Sequence, residues 1–175
     1  MADIRPFRGI RYDSAKVGAL EGVTAPPYDV ISDKMQDALE AKSSYNCVRI
    51  ILNRTTDADG DNDNRYTRSA ALYTKWLGDG ALVRDEGDAV YVYSQEFEAG
   101  GTKHIRTGFI ARVGIEPLGE GTIFPHEDTL PGPKMDRLKL MRACNANFSQ
   151  IFSLFPDDKG AVNELLATAM AKAKR

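Results

Sequence analysis

Apolar and polar residues alternate along IRPFRGIRY near the amino end, which predicts a first strand with Ile4, Phe7 and Ile10 buried. VTAPPYDVIS breaks any period, because Pro26 and Pro27 remove two backbone donors and stiffen the chain. Ser32 then stands where it caps a short helix, DKMQDALEAK. The nearly continuous apolar run YNCVRIILN predicts a strand lying centrally in a sheet. In RYTRSAALYTKWL the residues Tyr66, Ala70, Tyr73 and Leu77 recur at helical spacing, with Trp76 at the edge of the stripe. Asn64 is the predicted N-cap of that helix and Gly78 its terminator.

Alternation resumes in AVYVYSQEFE and KHIRTGFIARVGIE, which flank AGGT and so predict a β-hairpin. The remaining chain predicts a helix over 133–147, a strand at FSQIFSLF and an alanine-rich helix over 161–174. Hairpins and helices mix without regular βαβ repetition, so the expected class is α+β. Its sheet should be mixed and largely antiparallel, with three to four helices beside the hairpin. One domain over residues 1–157 is expected, with 158–175 as a carboxyl-terminal helix.

Composition narrows the function classes. The 175 residues are 42% hydrophobic and 27% charged, a globular balance and not a disordered one. With 23 Lys and Arg against 25 Asp and Glu, the formal charge is −2, which gives nucleic-acid coating no support. Cys47 and Cys144 have no CxxC partner and read as small buried hydrophobes. MADIRPFRGIRY has no apolar signal core, and no apolar run approaches the ~20 residues that cross a bilayer, so a cytoplasmic, non-membrane protein is expected. TTDADGDNDN resembles a calcium loop, but Gly60 is out of register and no closing Glu follows, which leaves a solvated loop.

Candidate chemistry concentrates in GEGTIFPHEDTLPGPKMDRLKLM. Pro133 suits the first position of a helix, where its missing N–H costs nothing. The amides near Lys134 and Met135, with the positive end of the helix dipole, then form an anion seat. Lys134 and Arg137, three residues apart, lean toward the same anion, while Asp136 between them points elsewhere. His126 is placed to orient a substrate or to pass a proton near neutral pH. Glu127 is placed as a general base or as a magnesium ligand through water. The bland alternative stays open: Asp136 in a first turn stabilises the dipole with no ligand at all. APPYDVI is a second candidate wall, in which two prolines hold Tyr28 and Asp29; a stiff connector explains it equally.

RPFRGIRY, APPYDVIS, YNCVRI, RYTRSAALYTKWL, LVRDE, YVYSQEF, RTGFIARV and PHEDT…GPKMDRLKLMRA followed by IFSLF match, in order, one bacterial and archaeal family. The chain therefore resembles the domain of unknown function numbered ten-fifteen, from about Ile4 to Asp157. The resemblance implies the amino-terminal part of a longer chain. The family also resembles the ParB and sulfiredoxin superfamily, in which a loop-to-helix turn binds nucleotide phosphates and some members phosphorylate free serine. That implies His126, Glu127, Lys134, Asp136 and Arg137 as the turn, although PHED replaces the usual glycine and basic pair. The implied function is a phosphotransferase using ATP or ADP with magnesium on a small hydroxylated metabolite such as serine, with Glu127, His126 or Asp29 catalytic. The alternatives are a non-catalytic nucleotide-sensing or nucleic-acid-associated module, or an interaction domain.

Overall fold

The computed structural model describes residues 2–117, 119–126 and 130–172. The strands are β1 (Ile4–Arg5), β2 (Ile10–Tyr12), β3 (Leu82–Arg84), β4 (Tyr91–Ala99), β5 (Thr102–Ile110) and β6 (Arg112–Val113). The helices are α1 (Ser14–Val17), α2 (Asp33–Lys42), α3 (Val48–Ile51), α4 (Arg65–Gly78), α5 (Pro131–Cys144) and α6 (Ala161–Lys172). The class is α+β. Its strands form three antiparallel pairs, β1 with β6, β2 with β3 and β4 with β5.

Internal packing divides the chain into two units. The first unit comprises Met1–Gly9, Glu86–His126 and Gln150–Arg175, and the second Ile10–Asp85 and Glu127–Ser149. IRPFRGIRY is not one strand, because its residues find three separate partners. Ile4 and Arg5 pair with β6, Phe7 bridges Ala89, and β2 pairs with β3. Ile4 is exposed as a result, against the buried role expected of it. Gly9 is required by a close approach: its amide donates to the Tyr91 hydroxyl at 2.6 Å, and a Cβ there would meet that oxygen at 2.5 Å.

The second unit holds most of the buried residues. Trp76, 2% exposed, is central to the packed face of its helix and not at the edge of the stripe. Its ring lies 6.2 Å from Tyr12 and 5.7 Å from Tyr45, while Tyr73 meets Phe148 edge-on at 5.3 Å. Ile50, Ala81, Leu140 and Cys144 complete this core. Burial pushes the Cys144 thiol up to about 11, so it behaves as a small hydrophobe and not as a nucleophile.

YNCVRIILN corrects the strand expectation, since α3 occupies its middle. Asn46, fully buried, decides the matter. Its side-chain carbonyl accepts from the Val48 amide at 3.0 Å, and its amide donates to the carbonyls of Gly22 and Thr24 at 2.9 and 3.1 Å. That turn starts a helix and pins the chain to residues 22–24, which overrides the β-preference of Val48, Ile50 and Ile51. FSQIFSLF forms no strand either. Phe148 packs on Tyr73 in the second unit, and the residues from Gln150 onward belong to the first.

The N-caps of α2 and α4 are as expected, whereas Gly78, expected to terminate α4, is its last helical residue and Asp79 is the C-cap. The Ser32 hydroxyl accepts from the Met35 amide at 3.3 Å. Asn64 accepts from the amides of Tyr66 and Thr67, and the Thr67 hydroxyl accepts in return from the Asn64 amide at 3.0 Å. This reciprocal box satisfies donors that the first turn of α4 otherwise leaves bare. Asn64→Ala is therefore expected to cost about 1 kcal/mol, read as a lowered urea midpoint with unchanged slope.

Candidate functional site

α5 begins two residues earlier than expected, at Pro131, with Leu130 as N-cap and no side-chain cap bond. The correction matters for chemistry. Pro131 and Pro133 have no N–H, and the Lys134 amide donates to the Leu130 carbonyl at 3.2 Å. Of the first three helical positions only Gly132 carries an amide, so the helix start is a poor anion seat. The Lys134 side chain is exposed.

Arg137 does not lean out beside Lys134. Its Nε donates to Asp136 Oδ2 at 2.8 Å and its Nη2 to the Ile51 carbonyl at 2.9 Å, with Nη2 also on Asp136 Oδ2. Asp136, expected to point elsewhere, is the hub. Its Oδ1 accepts from the Tyr66 hydroxyl at 2.7 Å and from Arg65 Nη2. Arg65, Asp136 and Arg137 keep only 23%, 17% and 18% of their side-chain surface, so water screens the triad weakly.

Two arginines on one carboxylate leave a surplus positive charge. Burial pushes the Asp136 carboxyl up, but hydrogen bonds from Arg137 and Tyr66 and the charges of both arginines outweigh it, and the net shift is downward. Burial likewise raises the Tyr66 phenol, and its bond to Asp136 adds to the rise. The carboxylate is ionised and the phenol protonated at neutral pH.

Arg137 Nη1 is buried without a hydrogen-bond partner. Arg137 also lines a narrow crevice with Ile51, Asn53, Arg65, Tyr66 and Leu140, too tight to hold a water molecule. The guanidinium carbon stands 3.9 Å over the Tyr28 ring. The structure thus brings the APPYDV wall to α5, through Tyr28 and not Asp29, which is exposed on the same 3-10 turn, Tyr28–Val30. In the same unit an open groove of about 460 Å³ runs past Pro26, Met35, Leu39 and Lys42.

The remaining expected residues are not gathered here. His126 is exposed and closes a segment of the first unit. Glu127 lies outside the described residues. Asp59 of the acidic loop turns to Thr56 and Arg68, with its carboxylate 2.6 Å from Arg68 Nη2. Among the described residues no three His, Cys, Asp or Glu side chains are placed to share a metal ion.

Arg65 and the Ile51 carbonyl were missed as site members, and Tyr66 was read only as core. A signal for Arg65 did exist. It occupies the first turn of α4, where a cation opposes the helix dipole and no acidic residue lies within that turn. A residue that breaks a local rule at a well-capped helix start points to a tertiary partner.

These features define an α+β protein whose second unit carries a partly buried arginine–carboxylate cluster roofed by a tyrosine, with no described helix long and apolar enough to cross a membrane. The chain belongs to the family described as "Protein of unknown function (DUF1015)", which matches residues 4–175. No curated protein and no solved structure matches it.

Proposed function

We propose that the second unit binds a phosphate-bearing small molecule, a nucleotide in the first instance, with Arg137 as its principal contact. The observation that supports this is the unpartnered, buried Nη1 of Arg137 inside a cluster of net positive charge. A buried donor without a partner is costly, by about 1–3 kcal/mol, and an oxyanion is the acceptor that a guanidinium fork takes best. The crevice is closed as it stands, so binding requires the side chains that line it to separate. Lys134, exposed one turn before Arg137, adds charge at the approach. The resemblance of the family to ParB and sulfiredoxin proteins, an expectation from the sequence alone, points to the same ligand class.

Phosphotransfer to a small hydroxylated metabolite such as serine is the catalytic form of this reading. It is favoured by the Tyr28–Arg137 stack, which carries Asp29 on the segment next to the phosphate contact. Asp29 or Glu127 would take the hydroxyl proton, and a magnesium ion would supply charge neutralisation at the phosphates. Positioning and charge neutralisation supply most of the rate in such transfers.

Thermal unfolding with ATP, ADP and CTP, each with and without magnesium, tests the binding. A ligand at 100 times its Kd is expected to stabilise the fold by ~2.7 kcal/mol. No shift with any of the three removes the nucleotide reading. Where a nucleotide binds, ATP turnover over an amino-acid panel separates a transferase from a sensing module.

A further inference from the structure

β4 and β5 form a nine-residue ladder in full register, from Tyr91↔Ile110 to Ala99↔Thr102. Gly100 and Gly101 close it with φ of 58° and 74°, the two positive values that a tight two-residue turn demands. Two strands alone are marginal in water. The hairpin is nonetheless broadly exposed, with Tyr93 at 51%, Phe97 at 39% and Ile105 at 70%.

Arg106 and Phe109 project from opposite faces of β5, because they lie an odd number of residues apart. The Arg106 guanidinium reaches over the Phe97 ring of β4 at 5.6 Å and sits 4.6 Å over the Phe152 ring, while Phe109 meets Phe155 at 5.7 Å. Phe152 and Phe155 therefore lie against opposite faces of the hairpin, and among the described residues no strand pairs with the outer edge of β4.

Alternation identifies the groups that β4 leaves open. The turn-closing pair Ala99 and Thr102 exchanges ladder bonds, so the odd-numbered residues of β4 bond toward β5. The backbone groups of Val92, Ser94, Glu96 and Glu98 point outward.

We propose that this edge pairs antiparallel with the same edge of a second copy of the chain, in the register centred on Gln95. That register overlaps the whole strand and keeps like charges from facing directly. Ser94 faces Glu96 of the copy, and Val92 faces Glu98, each as a hydrogen-bonded pair made by outward groups. On the other face Tyr93 stands opposite Phe97 of the copy, twice, and Gln95 opposite itself, where two side-chain amides complement each other. Centring the pairing on Glu96 or Phe97 instead sets Glu96 against Glu96 or Glu98, which is repulsive. A four-stranded sheet results, and its central edges are no longer open.

Light scattering on the eluting chain reads the mass directly, and twice the monomer mass is expected at high micromolar concentration. Ser94→Pro removes an outward amide only, a substitution that an edge strand tolerates, and is expected to return the chain to monomer with unchanged circular dichroism. Tyr93→Lys acts on an exposed side chain and is expected to do the same without touching the backbone, which keeps the test decisive if the proline variant misfolds. Gln95→Cys places two sulfurs at the symmetry centre, where facing Cα atoms lie ~4.5 Å apart, and is expected to form a disulfide-linked dimer under mild oxidation. A chain that stays monomeric at every concentration overturns the proposal. So does a dimer that survives Tyr93→Lys and yields no Gln95→Cys crosslink.

Discussion

Asp136→Ala is expected to lower the stability of the second unit by about 3 kcal/mol, because it strands two arginines and a phenol that share one carboxylate. The figure sits at the low end for breaking a buried ion pair, since Asp136 and its partners keep some exposure. Trp76 is the sole tryptophan and lies in the same unit, so its fluorescence in a urea titration reads the loss locally. The pH dependence has a definite sign. The Asp136 carboxyl is shifted downward on folding, so its contribution is fully present above the ordinary aspartate range near ~4 and is lost as pH falls through the depressed folded value. Asp136→Asn keeps an acceptor for Tyr66 but not the charge, and should lack this acid-dependent component. An unchanged midpoint for Asp136→Ala would mean that the cluster is a surface feature of no consequence.

Trp76→Ala carries the largest expected loss, about 3–5 kcal/mol. The side chain is 2% exposed and packs between Tyr12 and Tyr45, with the Tyr12 ring fixed in turn because its hydroxyl donates to the Tyr45 backbone carbonyl at 2.8 Å. Removing the indole leaves a cavity that the tethered Tyr12 ring fills poorly. Circular dichroism in urea measures it, since the fluorophore is gone. Trp76→Phe should recover more than half of the loss, and equal destabilisation by both variants would mean that the indole does not act through its volume.

Features set by neighbouring residues were legible in the chain. Ser32 and Asn64 cap their helices through side-chain oxygens that reach amides two or three residues on, a property of residue type and spacing alone. The hairpin announced itself in the same way, by period-two alternation around two glycines. Misreadings arose where a distant partner decided the outcome. Val48 to Ile51 favour a strand by composition, yet Asn46 binds carbonyls more than twenty residues earlier and starts a helix. FSQIFSLF is rich in β-favouring apolar residues, but Phe148, Phe152 and Phe155 are claimed by Tyr73, Arg106 and Phe109.

The candidate site shows the same division. Arg137, Asp136 and Tyr28 stood out by type and by turn chemistry. Their arrangement did not follow, because the ion pair from Arg65 to Asp136 spans 71 residues. Local reasoning placed Lys134 and Arg137 on one anion because it treated the helix start as free. The second proline and the Asp136 carboxylate redirect that geometry, and the surplus charge lies at Arg137 and Arg65 instead.

Calorimetric titration of ADP into the parent chain and into Arg137→Lys is the most direct measurement. Lysine keeps the charge but lacks the planar fork and its third nitrogen. A roughly tenfold to hundredfold weaker Kd for Arg137→Lys, with the urea midpoint largely retained, is the expected result. Equal affinity in the two proteins, or no heat of binding to the parent, would contradict an oxyanion contact at Arg137.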